Sequence, residues 1–150
     1  MRVLFICSAN ICRSPVAAAY MRHLCEVFGV TSVEVSSAGI LGIEGHPVDP
    51  IAARLAKVRG LELSEHRSRG VDAQDLANAD EIVVMERRHR AWIAERAPDA
   101  VAKTILLRSA GGSSTDLPDP TGGTLQDYER VFGQLFENVE RIALGYKYPR

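Results

Sequence analysis

Two hydrophobic rhythms alternate along the chain. Residues 2–6 (RVLFI) form a short β-branched and aromatic run that predicts a strand, and apolar residues then recur at helical spacing over 14–28, with Ser14 and Pro15 where a helix starts. Residues 33–36 predict a second strand, ended by "SAG", and 47–58 predict a helix with Gly60 placed to stop it. A helical stretch around 72–77 precedes a third strand at 81–85, and 87–96 predicts another helix before Pro98. Residues 103–107 predict the fourth strand. The glycine- and serine-rich stretch RSAGGSSTDLPDPTGG follows as a loop, and an amphipathic helix over 124–144 carries Val131, Leu135, Val139 and Ile142 on one side. Strands alternating with helices predict an α/β fold, with a mainly parallel sheet between helical layers.

Composition narrows the choice of function. At 150 residues the chain is expected to be one domain, 1–150, with no linker and no internal repeat. A formal charge of −1 gives no general attraction to nucleic acid or acidic lipid, so neither nucleic acid nor a membrane is expected as a partner. The apolar run before Cys7 is far short of a signal-peptide core, and no run is long enough to cross a bilayer, which points to the cytoplasm. Cys7, Cys12 and Cys25 cannot all pair within the chain and crowd into its first segment, so they read as thiols. Without a Cys-x-x-Cys or a clustered His pair, a closed zinc site is a poor account of them, and no metal or other cofactor is expected.

The candidate chemistry lies in "CSANICRS", between the first strand and the first helix. Ligands of α/β folds gather beyond the carboxyl ends of the strands, and the amides of such a loop, with the helix amino terminus, surround an anion well. The thiolate is the reactive form of cysteine, and loop amides and a nearby cation favour it, so Cys7 is a candidate nucleophile. Arg13 offers a planar fork of donors for two phosphoryl oxygens, which lysine could not copy. Ser14 is placed to donate a hydrogen bond to the sulfur, and Asn10 is a residue type that tolerates left-handed backbone. Attack on phosphorus also needs a proton for the leaving oxygen. Asp119, between two prolines in the loop after the fourth strand, is the preferred acid, and Asp116, after a flexible Ser-Ser-Thr stretch, is its rival.

These residues carry a resemblance. "CSANICRSP" resembles the Cys-x5-Arg-Ser phosphate loop of the low-molecular-weight protein tyrosine phosphatases, and "DPTGG" resembles their Asp-Pro acid loop. The likeness extends over nearly the whole chain through "SAG", "GHPVDPIA", "EHRSRGV" and "ADEIVVME". It implies a three-layer fold with a central four-stranded parallel sheet and helices on both faces. It also implies Cys7 as nucleophile, Arg13 as phosphate clamp and Asp119 as general acid, with Ser8, Ala9, Asn10, Ile11, Cys12, Arg13 and Ser14 wrapping the phosphate. Asn10, Ser14 and His66 would support the loop, and Cys12 would form a reversible disulfide with Cys7. The pattern resembles the bacterial branch that removes phosphate from tyrosine kinases of exopolysaccharide synthesis. A phosphotyrosine protein, such as a bacterial tyrosine kinase, is the implied partner, and inorganic phosphate the product. Two positions depart from the family: Ala9 stands where glycine is common, and Thr121 where many members carry an aromatic beside the substrate ring. Ile11, Leu41 and Ile43 are then candidates for an apolar rim.

Other functions fit less well. Arsenate reductases share the loop but relay a disulfide through downstream cysteines, and none follows Cys25. Related phosphoarginine phosphatases carry threonine where Ile11 stands, and the bulk of isoleucine favours a flat aromatic ring. Sugar-transport phosphocarriers keep the phosphoryl group and do without the arginine clamp. A phosphotyrosine-binding module without turnover would follow if Ala9 and Thr121 disabled catalysis. Elsewhere the expectations are plain: Cys25 in the core; His23, His46 and His89 surface or structural; Trp92 packed on a helix face; "ERRHR" (86–90) a solvated helix start; Tyr146 and Tyr148 in a frayed end.

Overall fold

A computed structural model describes residues 1–149. Its elements are β1 (Arg2–Cys7), α1 (Arg13–Phe28), β2 (Glu34–Gly39), α2 (Pro50–Val58), α3 (Ala73–Asn78), β3 (Glu81–Val84), α4 (Arg87–Arg96), β4 (Thr104–Leu106) and α5 (Leu125–Lys147). All strand pairs are parallel, in the order β2-β1-β3-β4. The chain leaves β1 to one side for β2 and returns across it to β3, so a crevice opens beyond the carboxyl ends of β1 and β3. Residues of β1 divide between two cores with strand periodicity. Val3, Phe5 and Cys7 join the helices α1, α2 and α5 on one face, while Leu4 and Ile6 join α3 and α4 on the other. The thiol of Cys7 therefore points to the side on which α1 begins.

Several local features differ from the sequence reading. The second strand continues through "SAG", because Ala38 and Gly39 pair with Ile6 and Cys7. A Cβ on Gly39 would stand 2.6 Å from the Ala9 carbonyl carbon and 2.7 Å from the Asn10 nitrogen, so only glycine lets the loop after β1 lie on β2. Asp49 caps α2 by accepting from the Ala52 amide (2.9 Å), which places the helix start at Pro50 rather than at 47. Two short 3-10 turns, Pro98–Lys103 and Leu107–Gly111, flank β4 where strand or loop was expected. Tyr146 is not frayed: its hydroxyl donates to Glu81 Oε1 (2.8 Å) from the last turn of α5, whereas Tyr148 is exposed. Cys25 is in the core, and no helix among the described residues is long and apolar enough to cross a membrane.

Candidate active site

The loop after β1 is buried and built around one asparagine. Asn10 has φ 61°, the one non-glycine residue among those described with a positive φ, and it is fully buried. That backbone is costly for most side chains, and here four hydrogen bonds hold it. The Asn10 Nδ2 donates to Ser14 Oγ and to Ser37 Oγ (2.9 Å each), Oδ1 accepts from the Arg69 amide (3.1 Å), and the carbonyl accepts from His66 Nε2 (2.8 Å). Because a carbonyl only accepts, His66 carries its proton on Nε2. Burial lowers its pKa first, with Arg22 and Arg67 adding to that and the bond to Asn10 opposing it. Ala9 does not share the left-handed backbone, so a methyl group in place of the family's glycine meets no strain there.

The sulfur is served by the same network. Ser14 Oγ lies 2.9 Å from Cys7 Sγ, and its oxygen already accepts from Asn10. Its own proton is thereby free to be given to the sulfur. Cys12 is different. Burial pushes its thiol well up, and Asp49, Asp119 and Cys7 add to this, so the second loop cysteine stays protonated. Cys7, Cys12 and Cys25 are all free thiols.

Arg13 is buried to 1% exposure, yet it is not an unpaired charge. Its Nη1 donates to Glu86 Oε2 (2.8 Å) and to the Leu117 carbonyl (2.7 Å), while Nη2 lies 3.4 Å from Ser8 Oγ and 3.9 Å from Asp119 Oδ2. Asp119, far away in sequence, thus reaches the guanidinium of the loop that holds Cys7. The acid loop is fastened to β3 and α4: the Leu117 amide donates to the Met85 carbonyl (2.8 Å), and Asp116 Oδ1 accepts from the Arg87 amide (2.8 Å) and Nε (3.2 Å). Asp116, the rival acid, is engaged in that anchoring, while Asp119 remains partly exposed in the crevice. Thr121 closes a turn by donating its amide to Asp119 Oδ1 (3.0 Å). Burial raises the Asp119 pKa, but the Thr121 side chain and amide, together with Arg13 and Arg88, outweigh it and hold the carboxyl below its ordinary range.

The segment 86–90, expected to be a solvated helix start, is part of this site. Glu86, Arg88 and His89 find partners more than 70 residues away, which no local pattern discloses. Glu86 receives Arg13 and also Arg88, whose Nε donates to Oε1 (3.1 Å) and whose Nη2 donates to Oε2 (3.1 Å). His89 is fully buried: Nδ1 accepts from the Glu86 amide (3.0 Å), so the proton sits on Nε2, which donates to Ser8 Oγ (3.0 Å). Nε2 is also 3.5 Å from Glu86 Oε2, but burial, with help from Arg13, pushes the ring pKa down to about 4, and the ring is neutral at ordinary pH. Arg88 Nη2 reaches the same Ser8 oxygen (2.7 Å). The one local signal was the reciprocal Glu86 and His89 spacing at the start of α4.

Around the mouth, Ile11 is half-buried, and Leu41 and Ile43 are exposed on a stretch tied to the loop by donation from the Leu41 amide to the Ser8 carbonyl (2.9 Å). Among the described residues, no group of three or more His, Cys, Asp or Glu could hold a metal ion. The arrangement offers a sulfur at a helix amino terminus, a fixed guanidinium and a carboxyl beside it. Those are the requirements for displacing an oxygen leaving group from phosphorus.

Comparison with known proteins agrees with this geometry. Residues 2–146 match the family model described as low molecular weight phosphotyrosine protein phosphatase, and the chain belongs to that family. Among curated relatives, the protein-arginine-phosphatase of Geobacillus stearothermophilus is 35% identical over 95% of this chain and 93% of its own. The low molecular weight protein-tyrosine-phosphatase Etp of Escherichia coli K12 is 34% identical over 89% of this chain and 86% of its own. A solved YwlE arginine phosphatase, in a mutant form with a phosphorylated active site serine, superposes with a TM-score of 0.92 at 28% identity, covering 100% of this chain and 98% of that one.

Proposed function

We propose that the chain, as one phosphatase domain, hydrolyses phosphotyrosine in proteins through a cysteinyl-phosphate on Cys7. The observation that supports the reading is a pair of contacts on one short loop: Ser14 lies 2.9 Å from the Cys7 sulfur, and Asp119 lies 3.9 Å from Arg13. The Cys7 thiolate attacks phosphorus and forms the S–P bond as the P–O bond to the tyrosine oxygen breaks. Protonated Asp119 gives its proton to the departing phenolate. Loop amides and Arg13 hold the equatorial oxygens throughout, so positioning and electrostatics carry most of the rate. In the second step Asp119, now a carboxylate, takes a proton from a water that attacks phosphorus. The S–P bond breaks, and inorganic phosphate and the thiolate are released. The negative phosphoryl group also offsets Arg13, which raises the Asp119 pKa in the complex towards the protonated form that the first step needs. Ser8 to Ser14 supply the phosphate cradle, and Asn10, Ser14 and His66 keep its shape.

The substrate reading rests on the family and on the apolar rim of Ile11, Leu41 and Ile43, which suits a flat ring. A bacterial tyrosine kinase in the cytoplasm, including one tied to exopolysaccharide synthesis, is the partner of this chemistry. A second reading, phosphoarginine, is favoured by the 35% identity to a protein-arginine-phosphatase. Phosphate release from matched phosphotyrosine, phosphoarginine and phosphoserine peptides separates the two. Faster release from phosphotyrosine, abolished in Cys7→Ser, is expected. Faster release from phosphoarginine would replace the substrate, and binding without release would replace the mechanism.

A further inference from the structure

Arg88 has a role that the loop chemistry does not use. Its side chain is 58% exposed, in contrast to buried Arg13. One edge of the guanidinium is fixed, since Nε and Nη2 grip the two oxygens of Glu86 and Nη2 also donates to Ser8 Oγ. The Nη1 group has no hydrogen-bond partner among the described residues. Such a grip removes much of the freedom an exposed arginine would lose on binding, so the open donors are already aimed.

Among the groups hydrogen-bonded to Arg88 the charges do not cancel. Glu86 contributes one negative charge against the two guanidiniums of Arg13 and Arg88, and buried His89 is neutral. Neighbouring Arg87 is already paired with Asp116 at 3.2 Å. Asp119 acts on Arg88 through space, but in the reacting complex it is protonated and no longer offsets it. One ordered cation therefore faces outward, and Ser8, which it touches, carries through its carbonyl the stretch that exposes Leu41 and Ile43. An aromatic phosphate with a carboxylate beside it fits both surfaces.

We propose that Arg88 is a specificity-determining residue whose Nη1 edge binds an acidic side chain flanking the phosphotyrosine of the substrate. The inference rests on the phosphotyrosine reading above and names the kind of sequence that the site selects. It is tested with two phosphotyrosine peptides that differ only in carrying glutamate or glutamine on both sides of the phosphotyrosine. The wild type is expected to prefer the glutamate peptide by about fivefold in kcat/KM, a preference that shrinks as salt rises. Arg88→Gln should lose most of it, and Arg88→Lys should restore part. Each ratio is internal to one variant, so any general loss of rate from disturbing Glu86 or Ser8 cancels. A ratio near one in the wild type, or the same preference in Arg88→Gln, would overturn the inference while leaving the phosphatase intact. Release from neither peptide by the wild type would instead remove the phosphotyrosine reading, and this inference with it.

Discussion

Two segments meet at the same arginine, and they differ in kind. The loop 7–14 is a local device: within eight residues Ser14 bonds both Cys7 and Asn10, and Arg13 lies 3.4 Å from Ser8 Oγ. The turn 86–89 is a remote device, in which Glu86 and His89 hold Arg13 and Ser8 from β3 and α4. The first can carry chemistry by itself. The second carries orientation, and its groups do not touch a phosphoryl group in the mechanism above. Loss of a loop group should thus cost catalysis outright, and loss of a turn group should cost alignment and stability.

The largest effect expected on this comparison comes from Arg13→Lys. It keeps the charge but loses the fork that grips Glu86, Leu117 and the phosphoryl oxygens at once, and kcat/KM for an aryl phosphate should fall by about a thousandfold. A loss under tenfold would mean that charge alone suffices. Asp119→Asn comes next, with a fall of about a hundredfold or more for a phenolic leaving group. Its pH signature is specific. The acid acts protonated, so wild-type kcat declines as pH rises through the Asp119 pKa in the complex, and the variant should lack that decline. An unchanged profile would assign the proton to another group.

Glu86→Gln sharpens the contrast. The amide still reaches Arg13 but no longer anchors two guanidiniums with a charge, and kcat should fall by about tenfold with circular dichroism unchanged. A loss as large as that of Arg13→Lys would erase the distinction between the two segments. The last effect, on stability and not on rate, concerns His89. Its folded pKa, about 4, lies below the ordinary histidine value of about 6.5, so the unfolded chain binds more protons between those values. Stability is full above pH 6.5 and falls as pH drops towards 4, by up to about 3 kcal/mol. Urea unfolding at pH 7 and pH 4.5 should show a smaller difference in His89→Gln than in the wild type. Equal differences would mean that His89 does not carry it.

The same comparison explains what the sequence disclosed. The loop could be read because its donors, its left-handed residue and its helix start are adjacent, and each residue type has few other uses there. The place of Asp119 beside Arg13 could be read because prolines on both sides restrict its loop. The start of α1 and the end of α4 followed from Pro15 and Pro98 by local rules. The turn 86–89 could not be read, because four ionisable side chains in a row look the same on a solvated helix as in a network tied to other elements. Their partners Arg13, Ser8 and Asp116 come from other elements. The continuation of β2 through Ala38 and Gly39 was hidden for a related reason. Small residues have little strand preference of their own, and what selects them is the loop lying on top.

The central claim is that Cys7 takes the phosphoryl group. The direct measurement is rapid quenching of Asp119→Ala with p-nitrophenyl phosphate, followed by peptide mass spectrometry under conditions that preserve phosphocysteine. This leaving group departs without an acid, so the intermediate should form, and without Asp119 to activate water it should accumulate. A phosphoryl group on the peptide bearing Cys7, and its absence in Cys7→Ser, is the predicted result. Nitrophenolate release with no phosphoryl group on Cys7, or with one on another residue, would contradict the account.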